Sequence, residues 1–476
     1  MEIKNKRLDD IEFQKERKKV LAEWPTGREV DIEEAVEFHK SLAPSKNAPM
    51  RILEAKEKGE ILPWVGGGLL LLDQHVELLK YAQDVGGAKF LSTHVDSSTR
   101  RHDFEGVERW IKESVKTGKS QLNGVPVVNY GVAAVRKIIQ AIDVPMRLAV
   151  GAPDLRIIWE IGIAGGFSEG GRDALSAFGD FTGRVTLETA LRNQQYVWRL
   201  FGLYQEKGVP IYFMPSSFGE TSVAVAGAVT QALIAAEQGV KYMGPNYELV
   251  GSLVQDVACT STLLKLCREY LDRFGYSDVQ IWSETGYSLP MPTDTSKAYA
   301  VIGFNCLIGW LTGATVVGFK TVAEGKMICS KEELAESHKC ANAFLNLIKD
   351  QKVKLDKETL NTESSFIEME ARLILDRIYD LGEGDWAVGI VRAVEAGVID
   401  ASFSANRAVH RKVLTARDNE CALRWLDCGD LPFTKEIMGF HKGKLAERKN
   451  KLGQEVDFDI IAADITAMSE GFLKKA

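Results

Sequence analysis

Two short stretches set residue types capable of chemistry just beyond a β-rich run. In VDSSTRRHD, Arg100 and Arg101 follow a β-rich run. At the carboxyl end of a strand, an arginine fork can grip a carboxylate through two parallel hydrogen bonds. A pair of solvated surface arginines is the equally weighted alternative. In FKTVAEGK, Lys320 and Glu324 stand just past another such run. A lysine and a glutamate four apart are more often a helix salt bridge than a ligand pair. Glu284, near the end of a third run, is a generic acid–base candidate. None of these alone names a reaction.

The remaining motifs mostly exclude. WVGGG at 64–68 lacks the lysine and the serine or threonine of a phosphate loop, and GxGxxG is absent. The seven histidines show no ligand spacing, so no protein-held catalytic metal is expected. Asp73-Gln74-His75 opens like the Asp-x-His-x-x-Gly motif that ligates cobalamin cobalt, but the sixth position is Leu78. Because the triplet lies in a helical pattern, His75 reads as a helix-surface histidine. No GxSxG elbow is present. Of seven scattered cysteines, Cys421 and Cys428 fall seven apart on a helical pattern and read as packed side chains in a reduced, cytoplasmic protein.

A chain of 476 residues, 45% hydrophobic and 26% charged, can bury a large core. A net charge of −7 argues against nucleic-acid binding, and no window approaches a membrane span. The start, MEIKNKRLDDIEFQKERKK, is charged, so no secretory signal is expected.

These candidates need elements to position them. Residues 1–54 read as a helical extension broken at WPTG. Eight β-rich runs then begin near 61, 88, 125, 146, 209, 240, 279 and 314, with helical segments between them. Helix-separated runs of this number predict an α/β fold, a TIM-type (β/α)8 barrel over 55–335. One long interval, 153–208, holds AGGFSEGGRDALSAFGDFTG, placed and composed like an active-site lid. Residues 336–476 read as a C-terminal helical appendage without further strands.

Taken together, EWPTGREVD, LLDQHVELL, VDSSTR, LIAAEQGVK, SKAYAVI, LTGATVVGFKT, LDRIYDLGEGDWAVGIVRAVEAGVID and ARDNECALRWLDCGDLPFTKEI resemble, in order, the large (epsilon) subunit of the glutamate mutase (methylaspartate mutase) family. The resemblance implies a barrel that works with adenosylcobalamin in a radical carbon-skeleton rearrangement. It also implies a small cobalamin-binding partner that carries the Asp-x-His-x-x-Gly motif and supplies the cobalt ligand. Two copies of each chain would form a heterotetramer. By the family pattern, Lys320 and Glu324 would hold ribose hydroxyls, and Gly68, Asn123, Asp180, Met291 and Ile328 occupy further cofactor positions. Asp180 replaces a proline there, and Met291 an aromatic residue.

The substrate side departs from the pattern. Of three arginines that hold the family's dicarboxylate, only Arg100 remains; the others fall at Gly66 and at Ala149, beside Val150. Gly171 stands where the family has a glutamate for the substrate ammonium, and Ala177 and Phe181 replace two tyrosines. A slipped loop alignment would let Glu169 take the glutamate's place, and Arg172, Asp173 and Asp180 are further polar groups of that loop. The expectation is a mutase whose carboxylate substrate is not glutamate. The alternatives are glutamate mutase itself and a non-catalytic paralogue that binds cobalamin or the partner.

Overall fold

A computed structural model describes residues 3–475 except 171–184, 218, 288–289, 326–327 and 405. Ten short parallel strands make one sheet: β1 (Leu62–Gly66), β2 (Phe90–His94), β3 (Met146–Ala149), β4 (Glu169–Gly170), β5 (Tyr212–Phe213), β6 (Tyr242–Met243), β7 (Asn246–Leu249), β8 (Gln280–Ile281), β9 (Glu284–Tyr287) and β10 (Val316–Gly318). β6 and β7 are halves of one run, as are β8 and β9. Since β6 pairs with β8, β7 with β9, β9 with β10 and β10 with β1, eight runs close into a ring. The architecture is the expected TIM-type α/β barrel.

Its helices start and stop where local chemistry dictates. Thr221–Glu237 is mostly apolar and buried on every face from Thr221 to Ala236, as a helix sandwiched between the sheet and later helices must be. The chain leaves it through Gly239 at φ +98°, a conformation that suits glycine. The helix Ala48–Lys58 is capped by the Asn47 side chain, which accepts from Met50 N. It buries Ala48, Ile52 and Ala55 against Leu62, Phe90 and Val316, filling the amino-terminal end of the barrel.

Four readings of the sequence are corrected. VPVVNYG is not a strand: Pro126 precedes the helix Val127–Ala141, which kinks at Gly131 (φ 73°), and Val125 alone bridges to Val95. The fourth strand lies instead in the glycine-rich interval, as the two residues of β4. The C-terminal region carries an antiparallel hairpin of β11 (Val413–Arg417) and β12 (Leu423–Cys428), so Cys421 sits in its turn and Cys428 on a strand. His75 is fully buried rather than on a surface.

That hairpin is tied in by ionic contacts. Buried Arg424 donates to Glu363 and to Asp418, the latter at 2.7 Å. Glu370 accepts from Ser222 at 2.6 Å and bonds His441 at 2.8 Å, linking the helix Thr221–Glu237 to the C-terminal helices. Among the described residues, no helix is long and apolar enough to cross a membrane.

Candidate functional site

Side chains alternate across a strand, so residues two apart share a face. On β3, Leu148 packs outward, its methyl group against Gly162 of a covering helix, which turns Arg147 and Ala149 into the barrel. On β1 the same alternation gives Trp64 and Gly66. The interior therefore has a floor of apolar residues on the helix Ala48–Lys58, a middle layer, and an upper rim at the carboxyl ends of the strands.

The middle layer is ionic. Arg147 Nη1 donates to Glu284 Oε1 at 2.9 Å, its Nε lies 3.3 Å from Glu169 Oε1, and Nη2 meets Met214 Sδ at 2.8 Å. Its guanidinium lies 4.1 Å from the centre of the Trp64 ring. All three charged side chains are at most 1% exposed. Burial pushes the Glu169 carboxyl up to about 8 against the attraction of Arg147, and Glu284 up to about 7 for the same reason. The layer brings Glu169 and Glu284 to one guanidinium, and burial favours the protonated form of both carboxyls while Arg147 opposes it. Glu169 thus belongs to the structural interior here.

At the rim, Arg100 lies in the short helical turn Thr99–Arg101 after β2. Asp96 builds this turn by accepting from Ser98 N and Thr99 N, both at 2.9 Å. Arg100 is half-buried, its Nε has no hydrogen-bond partner, and desolvation holds its pKa below the usual arginine value. An anion at this guanidinium would relieve both. Arg101 is exposed beside it.

Gly66 and Ala149 frame the same opening. A Cβ on Gly66 would stand 1.8 Å from the carbonyl oxygen of Ser92, its partner on β2, so no side chain fits there on this backbone. Ala149 pairs with His94, is partly exposed, and precedes buried Val150.

The other rim positions converge. Gly68 packs on Gly124: a Cβ at Gly68 would be 2.5 Å from the Gly124 Cα, which brings Asn123 alongside. His94 Nε2–H donates to Asn123 Oδ1 at 2.8 Å. Lys320 follows β10, and Glu324 lies exposed in the turn after it rather than on a helix. Gly325 would meet the Met291 carbonyl at 2.6 Å, and Gly67 the Cys329 Sγ at 2.9 Å, which carries Met291 and Ile328 to the same edge. A cradle of glycines with exposed Asn123 and Glu324 fits a nucleoside-like group. Gly171, Ala177, Asp180 and Phe181, with Arg172 and Asp173, lie outside the described residues.

His75 supports this loop from beneath. Leu69 N donates to its Nδ1 at 3.3 Å, and its Nε2–H donates to Thr93 Oγ1 at 3.1 Å. Burial pushes it down to about 3, so it is a neutral strut without a free nitrogen for a metal. Among the described residues no group of three or more His, Cys, Asp and Glu side chains could hold a metal ion.

The sequence reading missed Arg147 and His94. Alternation along MRLA could have flagged the first, since it sets an arginine on the inward face of a strand. No pattern singles out His94.

A family model for the methylaspartate mutase E chain (MutE) matches residues 42–475. The chain is 40% identical over 481 residues to the glutamate mutase epsilon subunit of Desulfitobacterium hafniense, covering 99% of both chains. It is 37% identical to that of Treponema denticola and 35% identical to that of Escherichia coli O157:H7, each again over 99% of both chains.

Proposed function

Because the chain belongs to the methylaspartate mutase E chain family, we propose that it is the large subunit of a cobalamin-dependent isomerase that rearranges the carbon skeleton of a carboxylate substrate. The observation that carries this reading is the convergence of Gly68, Asn123, Met291, Glu324 and Ile328 on one rim of the barrel beside half-buried Arg100. When bound, adenosylcobalamin would supply radical chemistry.

This chain's own residues bind and enclose. Arg100 takes a substrate carboxylate; Lys320 and Glu324 hold the ribose hydroxyls, with Asn123 and the Gly68 cradle beside them. The ring of strand runs walls the site at its sides. His75 is engaged on both nitrogens; as the family resemblance implies, a small partner subunit would supply the cobalt ligand, in a complex with two copies of each chain.

The names of the relatives put L-glutamate first as substrate. One observation favours a second reading, a carboxylate other than glutamate: the backbone at Gly66 leaves no room for a side chain that could grip a second carboxylate.

Anaerobic electron paramagnetic resonance of the chain with its small partner and adenosylcobalamin tests both. A coupled cobalt(II)–organic radical signal on adding L-glutamate is expected on the first reading. Silence with L-glutamate, alongside a signal from another carboxylate, selects the second. Failure of the complex to bind adenosylcobalamin refutes the proposal.

A further inference from the structure

The strand NYEL, β7, alternates polar and apolar residues. Tyr247 and Leu249 belong to the core between sheet and helices, so Asn246 and Glu248 face the barrel interior. The neighbouring strand agrees. Glu248 pairs with Gly286 of β9, and a Cβ on Gly286 would stand 2.4 Å from Glu248 Oε1. Gly286 shares its face with Glu284, whose carboxyl meets Arg147 in the barrel centre. The glycine thus leaves a notch in which the Glu248 carboxylate lies. Asn246 Nδ2 donates to the same Oε1 at 2.9 Å. A neutral amide fixes the direction of a carboxylate without cancelling its charge.

Two relationships set Glu248 apart from the ionic layer around Arg147. Arg147, Glu169 and Glu284 are fully buried, whereas Glu248 is partly exposed, as are Trp64, Gly66 and Ala149 on the same interior surface. Because the helix Ala48–Lys58 fills the other end, that exposure is towards the carboxyl ends of the strands. Glu248 also lies across the barrel from Arg100. Arg100 follows β2, and β2 is separated from the β6–β7 run by the same number of steps in either direction round the ring: through β3, β4 and β5, or through β1, β10 and the β8–β9 run. A cationic grip and an anionic one therefore face each other over one opening. Arg147, whose charge would oppose a second cation, is held by Glu284 at 2.9 Å and lies 3.3 Å from Glu169.

Resting on the isomerase reading, we propose that Glu248 accepts the ammonium group of an amino-acid substrate whose carboxylate is bound by Arg100. It does from β7 what the resemblance assigned to a glutamate at the position of Gly171. A carboxylate accepts an ammonium through a charge-assisted hydrogen bond, and a substrate without that group forfeits it. The site therefore prefers amino acids to their deaminated counterparts, whichever second group the substrate carries.

Anaerobic isothermal titration calorimetry of the complex with the small subunit and adenosylcobalamin tests this with two matched pairs. These are L-glutamate against glutarate, and L-valine against 3-methylbutanoate. Within each pair only the amino group differs, and the second pair lacks the second carboxylate. The wild-type complex is expected to bind at least one amino acid about tenfold or more tightly than its counterpart, the scale of one charge-assisted hydrogen bond. Glu248→Gln should erase that preference by weakening the amino acid alone, leaving the Kd of the counterpart within about threefold of wild type. Glu248→Asp keeps the charge and should keep part of the preference. Adenosylcobalamin should bind both variants as it binds wild type, which separates a lost contact from a damaged fold.

Equal wild-type binding within each pair, no binding of either amino acid, or a preference that survives in Glu248→Gln overturns the assignment. The wild-type comparison needs no variant to fold. A wild-type complex that binds no adenosylcobalamin defeats the isomerase reading as well.

Discussion

Arg147 donates to Glu284 at 2.9 Å in the centre of the barrel, and the same guanidinium lies 3.3 Å from Glu169. One cation stands between two carboxyls that burial raises to about 7 and about 8. The three groups titrate as a unit. Because the folded carboxyls hold protons that the unfolded chain releases near pH 4.5, the stability they contribute is full below that value. It is lost as pH rises through 7 and 8. The thermal midpoint should therefore fall between about pH 5 and 8.5, as the unfolding free energy declines by at most about 1.4 kcal/mol per pH unit for each group. Glu169→Gln should flatten part of that slope in differential scanning calorimetry.

Arg147→Met should be far more damaging than its size suggests. It fills the same space but leaves Glu169 and Glu284 facing each other without a cation. The expected loss is about 3–5 kcal/mol, the range for breaking a buried pair from one side. Denaturant unfolding of Arg147→Met against wild type measures it, and a loss under about 1 kcal/mol would mean that water already serves these carboxyls.

Replacing Arg100 by alanine should leave the fold intact, since the turn is built by Asp96 and not by the guanidinium. Turnover should fall about 100-fold or more, the scale of a lost charge-assisted contact to a carboxylate. Steady-state kinetics with the radical signal in parallel would separate lost substrate binding from lost cofactor binding; only the first should change.

Gly66 and Ala149 should respond differently to arginine. At Gly66 the new Cβ meets the Ser92 carbonyl at 1.8 Å, so β1 must shift; a cost of about 1–3 kcal/mol is expected even for Gly66→Ala. Ala149 is partly exposed beside His94 and should accept arginine with little change in the unfolding midpoint. If Ala149→Arg raises kcat/KM for L-glutamate relative to wild type, the missing cation is what limits that substrate.

Lys320→Ala and Glu324→Ala should each weaken adenosylcobalamin binding about tenfold, as loss of a hydrogen bond to a ribose hydroxyl would. The unfolding midpoint of Glu324→Ala should match wild type, because Glu324 is exposed. Dialysis of the complex against cofactor reports the affinities directly.

The barrel was legible because its long helices and apolar strand runs obey two clear periods. What escaped were the elements with too few residues to show a period. β4 is two residues inside a glycine-rich run, and it is the pairing of Gly170 with Leu148 and Phe213 and of Glu169 with Tyr212 that makes it a strand. VPVVNYG misled because β-branched residues follow a proline that starts a helix as readily as it precedes a strand. The β11–β12 hairpin was hidden because its turn is carried by Asn419, Glu420 and Cys421 at φ +65°, without a glycine. The site was legible only in part. Arg100, Lys320 and Glu324 stand out by type after a strand, but Gly68, Asn123 and Met291 carry no chemistry until the fold sets them edge to edge. His75 looked exposed because a helix pattern cannot show that a loop wraps over it and donates to its ring.

The helix Ala48–Lys58 seated in the amino-terminal end of the barrel has a further consequence. With Ile52 and Ala55 pressed on Leu62 and Phe90, the barrel is a cul-de-sac closed at its amino-terminal end among the described residues. On the proposed function, reactant and product would share that open end with a cofactor-carrying partner, so a partner seated over it would have to make way at each exchange. A tighter partner would slow the cycle rather than speed it.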